Sequence, residues 1–137
     1  MDNKLNVFAL PNLVTPEELA GGTVVVIDVL RASTTIAFAL DAGANQVIPC
    51  LEVADAKSLA SQFPREEALL AGERGGLPIA GFELGNSPSE YTPDRVGGKT
   101  IHFTTTNGTR AMLRCRKADR VLIGAFVNAS AIAEQLV

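Results

Sequence analysis

Thr104-Thr105-Thr106-Asn107-Gly108-Thr109-Arg110 is the densest run of chemically useful groups in the chain. It leaves an apolar stretch and enters a helical one. The hydroxyls of Thr105, Thr106 and Thr109, the Asn107 amide, Gly108 and Arg110 therefore gather near one helix start. Successive backbone N–H groups in such a turn form a nest for an anion. A helix cap alone needs only one of these residues.

Three further segments have related character. Asp28 closes the most hydrophobic run, Thr23 to Val29, and Arg31 and then Ser33-Thr34-Thr35 follow it. A carboxylate at the end of a buried strand is costly unless it is hydrogen-bonded, paired or bound to a metal. Hydroxyls, an Arg and the free N–H groups of a helix start make an anion site, or an N-cap with Arg31 paired to Asp28. In Gly72-Glu73-Arg74-Gly75-Gly76 the glycines let backbone approach a ligand, and Glu73 and Arg74 offer a metal ligand and an anion fork. A solvated ion pair on a surface turn fits the same residues. In Gly81-Phe82-Glu83-Leu84-Gly85-Asn86-Ser87-Pro88, Phe82 and Leu84 anchor a loop in which Asn86 and Ser87 supply neutral polar groups.

Several classes are excluded. The haloacid-dehalogenase signature needs a second Asp two residues after the first, and Leu30 stands there. No Gly-Lys-Ser/Thr follows, so there is no P-loop, and no strand is followed by Gly-x-Gly-x-x-Gly. His102, the single histidine, lies inside an expected strand and reads as packed. Cys50 and Cys115 have no neighbouring ligand to form a metal pair.

These segments must be positioned by the 137-residue chain, long enough for one domain with one core. Hydrophobic residues are 47% and charged residues 20%, ordinary for a globular protein. The formal charge of −3, from 12 basic and 15 acidic residues, argues against nucleic acid as a partner. Eight of the 12 basic residues are Arg, the better fork for carboxylate, phosphate and sulfonate. No apolar run approaches the roughly 20 residues of a membrane span. The start lacks the basic, apolar pattern of a secretory signal, and two cysteines make no disulfide framework, so a reduced, cytoplasmic protein is expected.

Pattern predicts strands at Lys4 to Leu10, Thr23 to Val29, Gln46 to Pro49, Ala68 to Ala71, Lys99 to Thr104 and Arg120 to Gly124. Helices are expected at Thr15 to Glu18, from Ser33 to Asp41, Glu52 to Phe63, Asn107 to Arg116 and from Asn128. The Gly72 to Pro88 segment, with five of the 12 glycines, reads as a long functional loop. The alternation implies a three-layer α/β/α fold with a largely parallel or mixed sheet. The last helix has no C-cap before Val137, so residues 1–137 read as one α/β domain at the N-terminal side of a longer protein. An open sheet edge of that kind allows two chains to pair as a homodimer.

The four segments, in this order, resemble the 2-phosphosulfolactate phosphatase (ComB) family, over about Val7 to Ala129. The resemblance implies a phosphoric monoester hydrolase that uses Mg²⁺ to convert 2-phosphosulfolactate to sulfolactate and phosphate, a step that leads to coenzyme M in some methanogens. Ser33 stands where the family usually has Thr, and Glu83 where Asp is usual. Family members run roughly a hundred residues further, so the resemblance also implies a truncated version of the family fold.

A substrate with phosphate, carboxylate and sulfonate groups needs several anion forks, and Arg31, Arg74 and Arg110 would supply one per loop. Asp28 and Glu73 would bind Mg²⁺, and Ser33, Thr34, Asn86, Ser87 and the Thr105–Thr109 nest would hold the anion. Two alternatives remain: a non-catalytic anion-binding module or inactive fragment, and a phosphatase of another phosphorylated hydroxy acid.

Overall fold

The β-branched run Thr23–Ile27 forms strand β1, as its pattern requires. The computed structural model describes residues 4–137. After β1 come α1 (Ala32–Asp41), β2 (Gln46–Pro49), α2 (Val53–Ala60), β3 (Ala68–Arg74), the short β4 (Leu77–Pro78), α3 (Pro93–Val96), β5 (Thr100–Thr104), α4 (Gly108–Arg114), β6 (Arg120–Gly124) and α5 (Ala129–Glu134). Three 3₁₀ turns lie at Pro11–Leu13, Pro88–Glu90 and Phe126–Asn128.

The fold is α/β with mainly parallel pairing, as the alternation of elements implied. The strands divide between two sheets rather than one. A four-stranded sheet runs β2-β5-β3-β4, parallel except for antiparallel β4, and β1 and β6 form a separate parallel pair. Helix α1 packs against β2 of the larger sheet and β6 of the smaller, α4 against β2 and β5, and α2 against β3 and β5. One core joins the sheets: Val26 and Ile123 from the ribbon meet Ala71, Ile101 and Phe103 through Ile36, Ala39 and Met112.

Two expectations for the first residues are corrected. Among the described residues, Lys4 to Leu10 forms no strand; its side chains are exposed and no neighbour supplies a ladder. Thr15 to Glu18 is a turn, not a regular helix, although the capping pattern is made: Glu18 Oε2 accepts from the Thr15 N–H at 2.8 Å. Pro16 suits a first turn, but Gly21 and Gly22 follow too soon for propagation. The long Gly72 to Pro88 segment has internal structure. It finishes β3, turns through Gly75 and Gly76 into β4, and returns along β3 at Leu84, where Gly72 N donates to Leu84 O at 3.1 Å.

Position 72 must be glycine. Its φ is +133°, and a Cβ there would lie 1.8 Å from the Thr104 carbonyl oxygen. That approach brings the ends of β3 and β5 together. Gly72→Ala is expected to lower the unfolding free energy by about 3 kcal/mol in a denaturant titration.

His102 is packed, as its strand position implied. It is fully buried, edge-to-face with Phe63 at 5.3 Å, and neither ring nitrogen finds a hydrogen-bond partner. Burial pushes its pKa below 6.5, and the nearby Leu69 backbone opposes this only in part. The unfolded chain therefore binds this proton more readily. The stabilisation is full above the unfolded value near 6.5 and is lost as pH falls from there through the lowered folded value. Stability measured between about pH 7 and pH 5 should decline in the native chain, and His102→Leu should flatten that decline.

Candidate active site

The ends of β1, β3 and β5 open onto one cleft of about 280 Å³. Its walls carry Asp28, Arg31, Glu73, Asn86 and the turn from Thr105 to Gly108. Ligands of open α/β sheets collect beyond such strand ends.

Glu73 is the centre of a small network. Its Oε1 accepts from Thr106 N–H at 2.6 Å, and its Oε2 accepts from Gly76 N–H at 2.7 Å and from the Thr106 hydroxyl at 3.0 Å. The Thr106 oxygen in turn accepts from Gly75 N–H at 2.9 Å. Gly75 and Gly76 have φ of +58° and +79°, which lets their amides face inward. Burial pushes the Glu73 carboxyl up, but these donors and the Arg74 charge outweigh it and hold the carboxyl below its usual range.

Asp28 lines the same cleft, its Oδ2 close to Gly108. Burial raises its pKa, the Ala32 N–H opposes that, and the Glu73 charge adds to it. Ser33 places it: the buried hydroxyl accepts from Asp28 N–H at 2.9 Å and donates to Val26 O at 3.2 Å. Thr34 donates to Val29 O at 2.7 Å. Ser33 and Thr34 therefore shape the turn after β1 and do not line the cleft.

Arg31 reaches the cleft with its guanidinium fixed, Nη1 donating to Ser87 Oγ at 3.0 Å. Ser87 holds this Arg rather than lining the cleft itself. The loop carrying it is tied down: Thr35 donates to Asn86 O at 3.1 Å, Tyr91 Oη to Gly85 O at 2.6 Å, and Gly85 N–H to Glu90 Oε2 at 3.0 Å. The buried Asn86 side-chain oxygen has no hydrogen-bond partner.

The three-fork arrangement is not what the structure builds. Arg74 turns away from the cleft and donates to Leu51 O and Thr104 Oγ1, each at 2.7 Å, and to Glu73 O at 3.0 Å. Arg110 is exposed on α4 and does not line the cleft. Thr109 is buried; it and Thr105 cap each other, Thr109 N–H donating to Thr105 Oγ1 at 3.1 Å and Thr105 N–H to Thr109 Oγ1 at 3.2 Å. Thr105, Thr106, Asn107 and Gly108 do line the cleft. Glu83 is outside it, accepting from Leu70 N–H at 2.8 Å. Leu30, Gly75 and Gly76 also line the cleft. The glycines stood in a segment already singled out, whereas no chemical signal marked Leu30.

Among the described residues no three His, Cys, Asp or Glu side chains form a metal-holding group. The donor set of Asp28, Glu73 and the unpartnered Asn86 oxygen is all oxygen. Such a set fits a hard cation like Mg²⁺, which keeps several waters and needs few protein ligands.

Fold and cleft together define an α/β protein with an acidic, single-arginine ligand cleft at the carboxyl ends of parallel strands. Residues 8–137 match the family described as 2-phosphosulpholactate phosphatase, and the chain belongs to that family. Relatives named "Probable 2-phosphosulfolactate phosphatase" include those of Symbiobacterium thermophilum (51% identical over 125 residues, 91% of this chain and 54% of the relative) and Caldanaerobacter subterraneus subsp. tengcongensis (47% over 132 residues, 96% and 55%). Another is from Synechococcus sp. strain RCC307 (47% over 133 residues, 97% and 54%). The chain spans about half the length of these curated relatives. No helix among the described residues is long and apolar enough to cross a membrane.

Gly108 fixes the spacing of the walls. A Cβ there would meet Ala32 Cβ at 2.4 Å and Asp28 Oδ2 at 2.9 Å. Gly108→Ala should cost about 2 kcal/mol in thermal or denaturant unfolding. An unchanged stability would show that the starts of α1 and α4 do not touch this closely.

Proposed function

We propose that the cleft takes 2-phosphosulfolactate and, with Mg²⁺, hydrolyses it to sulfolactate and phosphate. One observation carries this reading: Asp28, Glu73 and Arg31 surround a single cleft at strand ends in a chain of the 2-phosphosulpholactate phosphatase family. Asp28, Glu73 and the Asn86 oxygen would hold the metal. When bound, Mg²⁺ supplies Lewis-acid polarisation of a phosphoryl oxygen and offsets the charge of two carboxylates.

The chain's own residues supply the rest. Arg31 pairs with one anionic group of the substrate, and its bond to Ser87 fixes the direction of the fork. The Thr105 hydroxyl and the Asn107 side chain offer neutral donors on the facing wall. Glu73 keeps that wall at a set distance from the Gly75-Gly76 turn and stays ionised through its three donors. Asp28, whose charge burial disfavours, gains most from a cation in the cleft. Phosphoryl transfer is mainly positioning and charge stabilisation, and this arrangement suits that task. Both cysteines are free and buried, which suits a reducing, cytoplasmic setting.

Phosphate release from 2-phosphosulfolactate tests the proposal, measured with Mg²⁺ and with EDTA. Release is expected with Mg²⁺ only. Arg31→Ala should lower kcat/KM about 100-fold. Arg110→Ala should leave it unchanged, and Arg74→Ala should chiefly lose stability, by about 1 kcal/mol. Equal losses of kcat/KM at all three arginines would restore the three-fork cleft. Phosphate binding without release by a folded chain would favour the anion-binding module.

A further inference from the structure

Strands β1 and β6 form a parallel pair with no other strand partner among the described residues, so each has a free edge. Parallel sheets normally have both faces covered, and two strands alone are marginal in water. One face of this ribbon meets the core through Val26 and Ile123. On the other face Val25 and Leu122 are half-buried and α5 packs against β6, while Ile27 at the end of β1 is 69% exposed. The turns that leave the two strands carry Leu30, Phe126 and Val127, at 87%, 83% and 57% exposure. Five-residue strands, two free edges and a neighbouring group of large apolar side chains describe a sheet begun but not completed.

We propose that this ribbon and its apolar rim seat the further residues that family members carry outside the segment matched here, and that those residues add strands to β1 and β6. Two observations select this occupant. The matched relatives are nearly twice as long, since the alignments cover 54% and 55% of them. Two free edges, one on each strand, also need a partner that brings at least two strands. A second copy of this chain meeting its twin about a two-fold axis pairs one edge with itself and leaves the other open. Leu30 lies both on this rim and at the cleft, so the added residues border the cleft.

Amide hydrogen exchange, on this chain and on the full-length Symbiobacterium thermophilum relative, tests the proposal. The buried strand β5 serves as the internal standard in both proteins. In the relative, amides aligned with Thr23–Ile27 and Arg120–Gly124 should exchange as slowly as those aligned with β5. In this chain the edge-facing amides of β1 and β6 should exchange at least about tenfold faster than β5. Fast exchange of the aligned strands in the full-length relative would overturn the proposal. Sedimentation adds a second arm: this chain should run as a monomer. A dimer that Phe126→Asp dissociates would assign the surface to a second copy and overturn it equally.

Discussion

The carboxylate of Glu73 is the constraint on which the cleft depends. It receives three hydrogen bonds from two turns that are far apart in sequence, one after β3 and one after β5. A charged acceptor with several backbone donors is among the stronger polar interactions in a protein. It fixes the Gly75-Gly76 turn against Thr106 and keeps Glu73 ionised near Asp28, whose charge burial already disfavours and the Glu73 charge disfavours further. The site thus holds two carboxylates close enough to oppose each other, with only one guanidinium on the same wall system. That imbalance is what the proposed cation would offset, and it exists because the clasp leaves Glu73 little freedom to protonate or move away.

Much of this was legible in the residue pattern. The four polar segments do meet, or support the segments that meet, at strand ends. Asp28, Arg31, Glu73, Asn86 and the Thr105 to Gly108 turn all reach the cleft. The distribution of arginines was the main departure, and half of it follows from strand geometry. Glu73 and Arg74 are consecutive residues of β3, and successive side chains of a strand leave opposite faces. If one faces the cleft, the other cannot. Arg110 is different. Its position in the first turn of α4 leaves the facing direction open, because helix rotation is set by which side packs, here through Thr109 and Met112.

The hydroxyl residues carry a related lesson. Ser33, Thr34 and Thr109 resemble ligand groups in composition, yet each bonds to nearby backbone. Short polar side chains next to tight turns satisfy the turn's own N–H and C=O groups first. A cluster of Ser and Thr after a strand therefore marks a turn that must be held rigid. The groups left open to a ligand are those whose bonding capacity is unused, as the Asn86 side-chain oxygen's is.

Sheet membership was not legible, and the reason is physical. A β-branched run such as Thr23 to Ile27 specifies a strand but not its neighbours. Separation of the β1–β6 pair from the larger sheet arises from α1, which has β2 on one side and β6 on another. Ala32, Ile36 and Ala39 let α1 sit close to both, and Ala32 lies against Gly108 so tightly that no side chain fits between them. Small residues at these contacts let the turn after β1, which carries Asp28, approach the start of α4. An Ala–Gly contact between helices thus holds Asp28 close to the turn whose Thr106 binds Glu73. A volume change at Gly108 would press on Ala32 and on Asp28 Oδ2 together, and so disturb the carboxylate without replacing it.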